Sequence, residues 1–359
     1  MKVLLLVPQR YGFYHSFKQT FSALGGEIFT LDFSHEVKPW KEKVNTQIFR
    51  FPHKYRVRWE SYYLKGINEF YLKEYNRIKP DVVFIYNHEL MLPETLAYIK
   101  KKSKVGFFLG DIPYYTPGNR HFMTLLNMAD AIYTYDSFWI DAMKKVGIKN
   151  IHYLYPNIPK NKHFEKKLAP DVYEELKSEV IYIGMCYKTS WGYKKAKFMS
   201  CFTDFDLHIH GDESWKRWFE YFPELEKHYI QRQGGPLTAD RMNDLYNASK
   251  IAPVDASPGL LHALHWRWVE ALGSGVMPVL EWQQNIIEIF GDDKDLPVVK
   301  VFDEAREVTA YYLNNESKRL EMVDYMRSTV EEKYSIENNA RFIAETLPLK
   351  GVPILVGSK

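Results

Sequence analysis

Short apolar runs recur along the chain, and most of them end at a polar residue or a glycine. Val3–Val7, Val82–Tyr86, Val180–Ile183 and Lys250–Val254 are examples, and helical stretches separate them. Such runs are typical of strands that are buried on both faces of a parallel sheet. A strand, a helix and a second parallel strand form a right-handed crossover unit. The alternation therefore predicts an α/β fold of Rossmann-like, doubly wound parallel sheets.

The alternation falls into two series, and a chain of 359 residues is too long for one ordinary core. We predict an N-terminal Rossmann-like domain over residues 1–165 and a C-terminal one over residues 166–335. Residues 336–359 are predicted to form a helix and tail that pack back on the first domain. Ligands of such sheets bind outside the carboxyl ends of the strands, so the sequence predicts a site in a cleft between two facing halves.

Composition narrows the class of protein. The net charge of +3 is weak for a nucleic-acid-binding protein, although it does not oppose an anionic ligand. The only two cysteines, Cys186 and Cys201, argue against a disulfide framework and favour a reducing, cytoplasmic location. No apolar run reaches the length of a transmembrane helix, and the run after Lys2 is too short for a signal peptide.

Several common catalytic motifs are absent. No Gly-x-Gly-x-x-Gly follows the first strand, and the chain has no phosphate-binding P-loop. His-Glu-x-x-His, clustered His and Cys ligands and Gly-x-Ser-x-Gly are also missing. A usual dinucleotide site, a structural metal and a serine hydrolase are therefore not predicted.

The stretch from Pro258 to Trp282 is predicted to form a loop, a helix, a glycine-rich turn and a buried strand. Apolar residues at helical spacing place the helix between Leu261 and Leu272, and Gly273 begins the turn that stops it. The carboxylate of Glu270 can accept hydrogen bonds from both hydroxyls of a ribose. Arg267, three residues earlier, suits a diphosphate. The alternative is an Arg–Glu pair on the surface of the helix.

Two further regions offer candidate residues. Gly184 ends a strand, and the lysines that follow, Lys188, Lys194 and Lys195, form either a phosphate-binding loop or a solvated face. Asp111 also ends a strand, where a carboxylate is either a general base for an acceptor hydroxyl or the cap of the next turn. His88 is the alternative base.

A set of motifs in the second half resembles one glycosyltransferase family. They resemble the C-terminal half of glycosyltransferases related to the spore-maturation protein CgeB, which have the GT-B fold. The specific piece is Arg-x-x-Glu-Ala-Leu-Gly-x-Gly at residues 267–275. The supporting motifs are Tyr182-Ile183-Gly184, His210-Gly211-Asp212, Leu245-Tyr246-Asn247-Ala248-Ser249-Lys250-Ile251 and Ile287-Glu288-Ile289-Phe290-Gly291.

This resemblance implies a transferase that moves a sugar from a nucleotide-sugar donor, UDP-linked in our prediction, to a hydroxyl of a glycan, lipid-linked or protein acceptor. It implies that residues 166–335 bind the nucleotide sugar and that residues 1–165 form the acceptor-side domain. It implies no metal cofactor, because basic side chains can carry the charge of the leaving group. Related retaining enzymes have a glutamate where this chain has His262, so the resemblance does not decide between retention and inversion. The donor-binding residues implied are Gly184, Lys188, Lys194, His210, Gly211, Pro236, Leu237, His262, Arg267 and Glu270.

Three other functions remain open at this point. Phage enzymes that glycosylate hydroxymethylated DNA bases are similar in fold, and the basic stretch Lys54–Trp59 would suit nucleic acid. A non-catalytic protein that binds a nucleotide sugar is the second alternative. An epimerase that acts on a UDP-sugar is the third.

Overall fold

The computed structural model describes residues 1–9, 12–32, 39–48, 50–87, 90–114, 120–232, 237–292 and 295–349. The chain divides into two compact units. Unit 1 contains residues 1–156 and the C-terminal stretch from Ile336, and unit 2 contains residues 157–335. The boundary at 156/157 precedes the predicted one at 165/166. The difference arises because residues 157–165 make contacts within unit 2, where Phe164 N donates to Asn243 Oδ1 at 3.1 Å.

Unit 1 is built on a six-stranded parallel sheet with the order β2-β1-β3-β4-β5-β6. The central strands are almost entirely buried, which explains their unbroken apolar sequences. The strands are β1 (Lys2–Leu6), β2 (Glu27–Thr30), β3 (Val82–Tyr86), β4 (Lys104–Leu109), β5 (Ala131–Thr134) and β6 (Ile151–Tyr153).

Helices connect these strands, and the last helix of the chain returns to unit 1. The helices are α1 (Gly12–Ala23), α2 (Pro39–Ile48), α3 (His53–Ile78), α4 (Pro93–Lys100), α5 (Phe122–Met128), α6 (Phe138–Lys145) and, at the end of the chain, α14 (Ile336–Thr346). Thr346 of α14 hydrogen-bonds the Tyr133 hydroxyl at 2.8 Å, and Asn339 Nδ2 donates to Tyr155 O at 3.0 Å. Residues 336–349 thus pack on the sheet of unit 1.

Unit 2 repeats the architecture with a six-stranded parallel sheet of order β12-β11-β10-β7-β8-β9. Its strands are β7 (Ser178–Ile183), β8 (Leu207–Gly211), β9 (Tyr229–Gln231), β10 (Ser249–Val254), β11 (Met277–Glu281) and β12 (Val298–Val299). Its α-helices are α7 (Pro170–Leu176), α8 (Ser190–Ser200), α9 (Ala239–Asn247), α10 (Arg267–Gly273), α11 (Gln284–Phe290), α12 (Glu304–Asn314) and α13 (Glu316–Lys333), and two 3₁₀ helices span Glu213–Trp218 and Pro223–His228.

Both units therefore have the predicted Rossmann-like α/β fold. Local signals also place several element ends correctly. Pro93 begins α4, and the Thr238 hydroxyl accepts a hydrogen bond from Arg241 N at the start of α9. Gly275, with φ of 76°, takes the left-handed conformation in the turn that follows α10.

Three element predictions are wrong. The helix predicted from Leu261 is α10, and it begins only at Arg267, because residues 258–266 form turns and bends despite their apolar spacing. Helical periodicity over residues 62–77 predicts a helix only from Tyr62, but α3 begins at His53, and α2 precedes it. The lysines after Gly184 were predicted to lie in a loop, but α8 carries Lys194 and Lys195.

Each sheet contains one point at which the strand order reverses. In unit 1 the chain leaves β1 toward β2 and then crosses to β3 on the other side of β1. In unit 2 it leaves β7 toward β8 and β9 and then crosses to β10. Loops diverge at such points and open a crevice at the carboxyl ends of the two strands, which is where ligands bind in doubly wound sheets.

Candidate functional site

Asp111 follows β4 at the carboxyl end of the sheet in unit 1. Asn87, which follows β3, donates from Nδ2 to Asp111 Oδ2 at 3.0 Å and accepts from Gly110 N at 3.0 Å. Asn87 has φ of 37°, a conformation that asparagine tolerates better than most residues. Two neighbouring strand ends are therefore joined by one amide side chain, and this amide orients the carboxylate.

The carboxyl group of Asp111 is a weaker acid than an ordinary aspartate. Burial raises the pKa of Asp111 to about 6, although the hydrogen bond from Asn87 opposes the shift. A carboxylate with this pKa is mostly ionised at pH 7 and accepts a proton more readily than a fully exposed one. His88, the alternative base, lies outside the described residues.

In unit 2 the reversal point lies between β7 and β10, where Gly184 and Asp255 directly follow the two strands. Arg267, at the first position of α10, reaches both strand ends. Its Nε donates to Ile183 O at 2.8 Å, and its Nη1 donates to Asp255 Oδ1 at 3.2 Å. The guanidinium carbon lies 4.4 Å from the centroid of the Tyr182 ring.

Lys195 of α8 is the second cation at this position. Its Nζ lies 3.4 Å from Asp255 Oδ2 and donates to Met185 O at 3.1 Å. The exposed fraction is only 3% for Lys195 and 6% for Arg267. We call Asp255, Arg267 and Lys195 the buried charge cluster. It contains two cations and one anion, so an anionic ligand nearby would complete its charge balance.

The protonation states within the cluster support this description. Burial alone would raise the pKa of Asp255, but Lys195 and Arg267 outweigh it and hold the pKa at about 2. Burial lowers the pKa of Lys195, and Asp255 opposes that shift. Burial and the charge of Arg267 hold the pKa of His265 well below its usual value, so this imidazole adds no positive charge at pH 7.

Glu270 lies one turn after Arg267 on α10, and its side chain is 15% exposed. Burial raises the pKa of Glu270 to about 7, while Arg267 opposes the shift. His163 Nε2 lies 4.0 Å from Glu270 Oε1, but burial lowers the pKa of His163 to about 4, so this imidazole is neutral at pH 7. Among the described residues none donates a hydrogen bond to the Glu270 carboxylate, which leaves it available to a ligand.

The predicted phosphate-binding lysines are not equivalent. Lys188 is exposed in the loop after β7. Lys194 donates from Nζ to Glu281 Oε2 at 2.6 Å, and the same carboxylate oxygen accepts from Ala256 N at 2.8 Å. Lys194 therefore supports the loop after β10, whereas Lys195, which the sequence analysis left out of the donor-binding set, joins the buried charge cluster.

Gly184 and Gly211 allow large side chains to pack against the strand ends. A Cβ at Gly184 would lie 2.6 Å from Arg267 Nη2, and one at Gly211 would lie 2.2 Å from the Trp215 ring. His210 precedes Gly211, the last residue of β8, and its Nε2 is buried without a hydrogen-bond partner among the described residues. Burial lowers the pKa of His210 to about 4, so it is neutral at pH 7.

The remaining predicted donor residues lie at the edges of this region. Leu237 is half-buried against the apolar core beside α9, and Pro236 lies outside the described residues. His262 is half-exposed in the segment before α10, where its carbonyl oxygen accepts from Asn285 N at 2.9 Å. His262 was predicted to lie on a helix but precedes it, whereas Glu270 lies on α10 as predicted.

Asp255 is the main functional candidate that the sequence analysis missed. It directly follows a buried strand, which is the signal that identified Asp111, but it was included only as a loop residue. Tyr182 donates from its hydroxyl to Asp255 Oδ1 at 2.9 Å and completes the surroundings of this carboxylate. Lys195 is one of the lysines after Gly184 that the sequence offers for phosphate, but its pairing with Asp255 depends on the neighbouring ends of β7 and β10.

The described part of the chain contains neither a cluster of metal ligands nor a membrane-spanning helix. No group of three or more His, Cys, Asp or Glu residues there is arranged to hold a metal ion. None of the helices there has the length and apolar character needed to cross a bilayer.

Two six-stranded Rossmann-like units, with a polar site at the strand-order reversal of the second, define the GT-B class of glycosyltransferase folds. Residues 194–345 match the family described as "Glycosyl transferase-like". The matched stretch contains β8–β12, Arg267 and Glu270.

Solved structures with the same fold include nucleotide-sugar enzymes. A sucrose-phosphate synthase from Thermosynechococcus elongatus has a TM-score of 0.64 at 10% identity, over 96% of this chain and 98% of that one. HepE from Anabaena, solved with UDP-glucose, has a TM-score of 0.59 at 12% identity, over 97% and 99%. An alpha-glucosyltransferase solved with UDP-glucose and DNA containing an abasic site has a TM-score of 0.60 at 11% identity, over 92% and 95%. Among curated protein sequences, none matches this chain.

Proposed function

We propose that this protein transfers a sugar from a UDP-sugar to a hydroxyl acceptor, as a member of the CgeB-like group of glycosyltransferases. The observation that carries the proposal is the buried charge cluster beside the Glu270 carboxylate at the reversal point of the second sheet. Two cations that share one carboxylate favour a diphosphate. A carboxylate that accepts no hydrogen bond from the described residues favours a pair of ribose hydroxyls. We further propose that the enzyme acts in the cytoplasm, since Cys186 and Cys201 are both buried free thiols.

The proposed roles differ among the donor-binding residues. Glu270 accepts hydrogen bonds from the ribose. Arg267 and Lys195 provide the positive potential that stabilises the diphosphate as it leaves, and the exposed Lys188 contributes from the loop. Because these side chains supply the compensating charge, we propose that transfer needs no divalent metal. Turnover should therefore persist in EDTA, and a strict requirement for added Mg²⁺ or Mn²⁺ would contradict this part.

We propose Asp111 as the general base that accepts the proton of the acceptor hydroxyl. Its raised pKa and the orienting amide of Asn87 support this role. Replacement of a positioned general base typically reduces turnover about 100- to 10,000-fold. The Asp111→Asn variant should lose kcat to this extent and still bind UDP as tightly as the wild-type protein. If kcat stays within about tenfold of wild type, another group, with His88 first, is the base.

The donor site is tested by calorimetric titration of UDP and 2′-deoxy-UDP. The wild-type protein should prefer UDP, and Glu270→Gln should bind UDP about 10- to 100-fold more weakly, because a hydrogen bond to a charged group is worth about 1.5–3 kcal/mol. The same variant should lose the preference for UDP over the deoxy compound. Glu220→Ala, which changes an exposed glutamate of the same unit, is the matched control. Equal preference in wild type and Glu270→Gln would reject the assignment of Glu270.

A DNA acceptor is the second candidate, and the fold shared with the DNA-bound alpha-glucosyltransferase is the observation that favours it. Incubation with a radiolabelled UDP-sugar distinguishes the candidates. Label in duplex DNA that carries hydroxymethylated bases would support a DNA acceptor, and label confined to glycan or lipid-linked acceptors would support the first proposal. Interconversion of the free UDP-sugar without an acceptor would identify an epimerase. UDP-sugar binding without any turnover would identify a non-catalytic binding protein.

A further inference from the structure

A strongly basic, aromatic surface lies in unit 1, outside the candidate site. It is formed by α2 and the first ten residues of α3, and we call residues 39–62 the basic hairpin. These residues include six Lys or Arg and two Glu, a net charge of +4, whereas the whole chain carries +3. The positive charge of this protein is therefore concentrated in one helical hairpin.

The two helices of the hairpin contact each other, and Trp59 packs against the core of unit 1. Trp59 Nε1 donates to Asn45 Oδ1 at 3.3 Å, and the rings of Trp40 and Trp59 are 6.2 Å apart, so α2 is tied to α3. The buried side chains of α3 begin only at Tyr63. At a rise of about 1.5 Å per residue, the preceding ten residues extend α3 by roughly 15 Å. Apart from Trp59, the core packing of the described residues does not account for this extension.

Four large aromatic side chains are exposed on the hairpin. The exposed fractions are 51% for Trp40, 56% for Phe51, 49% for Tyr55 and 54% for Tyr62. Monomeric proteins rarely expose so many aromatic rings on one element unless the surface binds something. The aromatic rings therefore point to a partner with an apolar component.

Basic side chains surround these rings. Lys41 Nζ lies 4.7 Å from the centroid of the Tyr62 ring, and Lys54 Nζ lies 4.9 Å from that of Tyr55. Arg56 and Arg58 are exposed on the same turns of α3. Of the two acidic residues, Glu60 pairs with Arg120 outside the hairpin at 3.1 Å. The partner must therefore combine negative charge with an apolar layer.

We propose that the basic hairpin binds the surface of an anionic lipid bilayer. Lysine and arginine side chains at such a surface place their charges at the phosphates, while aromatic rings enter the boundary between headgroups and acyl chains. Duplex DNA matches the charge, but its phosphate backbone has no apolar layer that would bury the exposed rings. The combination of rings and charges thus favours the bilayer. The proposal is independent of the sugar donor and of turnover.

The test is co-sedimentation of the full chain with phosphatidylcholine vesicles, with or without phosphatidylglycerol as about one third of the lipid. The wild-type protein should bind the anionic vesicles and not the neutral ones. Each basic side chain near an anionic surface contributes about fivefold to binding, so the triple change of Lys54, Arg56 and Arg58 to alanine should weaken binding about 100-fold. The matched control is the triple change of Lys73, Lys101 and Lys102 to alanine, which removes three exposed charges outside the hairpin, one near the end of α3 and two directly after α4.

A second variant tests the apolar contribution at constant charge. Phe51→Ala combined with Tyr55→Ala should weaken vesicle binding about tenfold, because two partly inserted rings are lost. Both side chains are exposed, so the thermal unfolding midpoint should stay unchanged. Equal vesicle binding by the wild type and the Lys54 triple variant would overturn the proposal. Tighter binding to duplex DNA than to anionic vesicles at the same salt concentration would also overturn it and would assign the hairpin to nucleic acid.

Discussion

Burial of the Glu270 carboxyl group makes the stability of the protein depend on pH. Its pKa of about 7 lies above the ordinary value of 4.5, so the folded protein keeps a proton that the unfolded chain releases. This contribution to stability is fully present below about pH 4.5 and is lost as the pH rises to about 7. The ionised carboxylate is therefore tolerated at neutral pH at the expense of stability, which is common at ligand-binding sites.

Glu270→Gln removes this titration and keeps the shape of the side chain. The free energy of unfolding should be similar for the two proteins near pH 4.5 and higher for the variant by about 2–3 kcal/mol near pH 8. Urea denaturation at several pH values measures the difference. Parallel pH profiles for wild type and variant would show that Glu270 has an ordinary pKa.

Asp255 has the opposite effect on stability, because it is the only anion between two buried cations in the buried charge cluster. Asp255→Ala leaves Arg267 and Lys195 without this partner, and the loss of one member of a buried pair typically costs about 3–5 kcal/mol. Asp303→Ala is the matched control, since Asp303 pairs with Lys197 at 3.5 Å on the surface. That change should cost less than about 1 kcal/mol in urea denaturation. Similar losses in both variants would contradict the role of the cluster.

Within elements, two helical glycines should respond oppositely to a methyl group. A Cβ at Gly66 in α3 would have nothing within 4 Å, so Gly66→Ala should stabilise the protein by about 0.5–1 kcal/mol. A Cβ at Gly192 in α8 would lie 1.9 Å from Tyr187 O and 2.3 Å from Trp218 Nε1. Gly192→Ala should therefore destabilise the protein by about 3 kcal/mol or more. Thermal unfolding compares the two variants, and the same sign for both would refute the packing assigned to α8.

At the level of the whole molecule, α14 lies at the end of the chain but belongs to unit 1. Ala340 and Ile343 are fully buried, and Thr346 hydrogen-bonds Tyr133 of β5. Ile343→Ala should destabilise unit 1 by about 2–4 kcal/mol through loss of buried apolar contacts, whereas the exposed Arg341→Ala should have little effect. Hydrogen exchange should accelerate in β4 and β5 and not in β10. Equal acceleration in β10 would show that the two units unfold together.

Strand identities and the residues that end the strands follow from local sequence, because a buried parallel strand needs an apolar run and a polar or glycine end. Asp111, Gly184 and Gly211 were located in this way, as was the α/β class. The long-range contacts between these residues could not be predicted from the sequence. Lys195 and Arg267 meet at Asp255 because β7 and β10 are adjacent in the sheet, and strand order leaves no periodic signal in the sequence.

The stretch before α10 is a second case in which the sequence pattern did not predict the structure. Apolar spacing from Leu261 predicted a helix, yet the chain turns until Arg267, where the guanidinium can reach the ends of β7 and β10. The spacing of apolar residues shows which side chains can be buried. The tertiary contacts of the buried Arg267 decide where its helix begins. The sequence alone therefore determined the strands and the chemistry at their ends, whereas the tertiary structure decided which of those residues share a site, because the free energy of a buried charge depends on its neighbours in space.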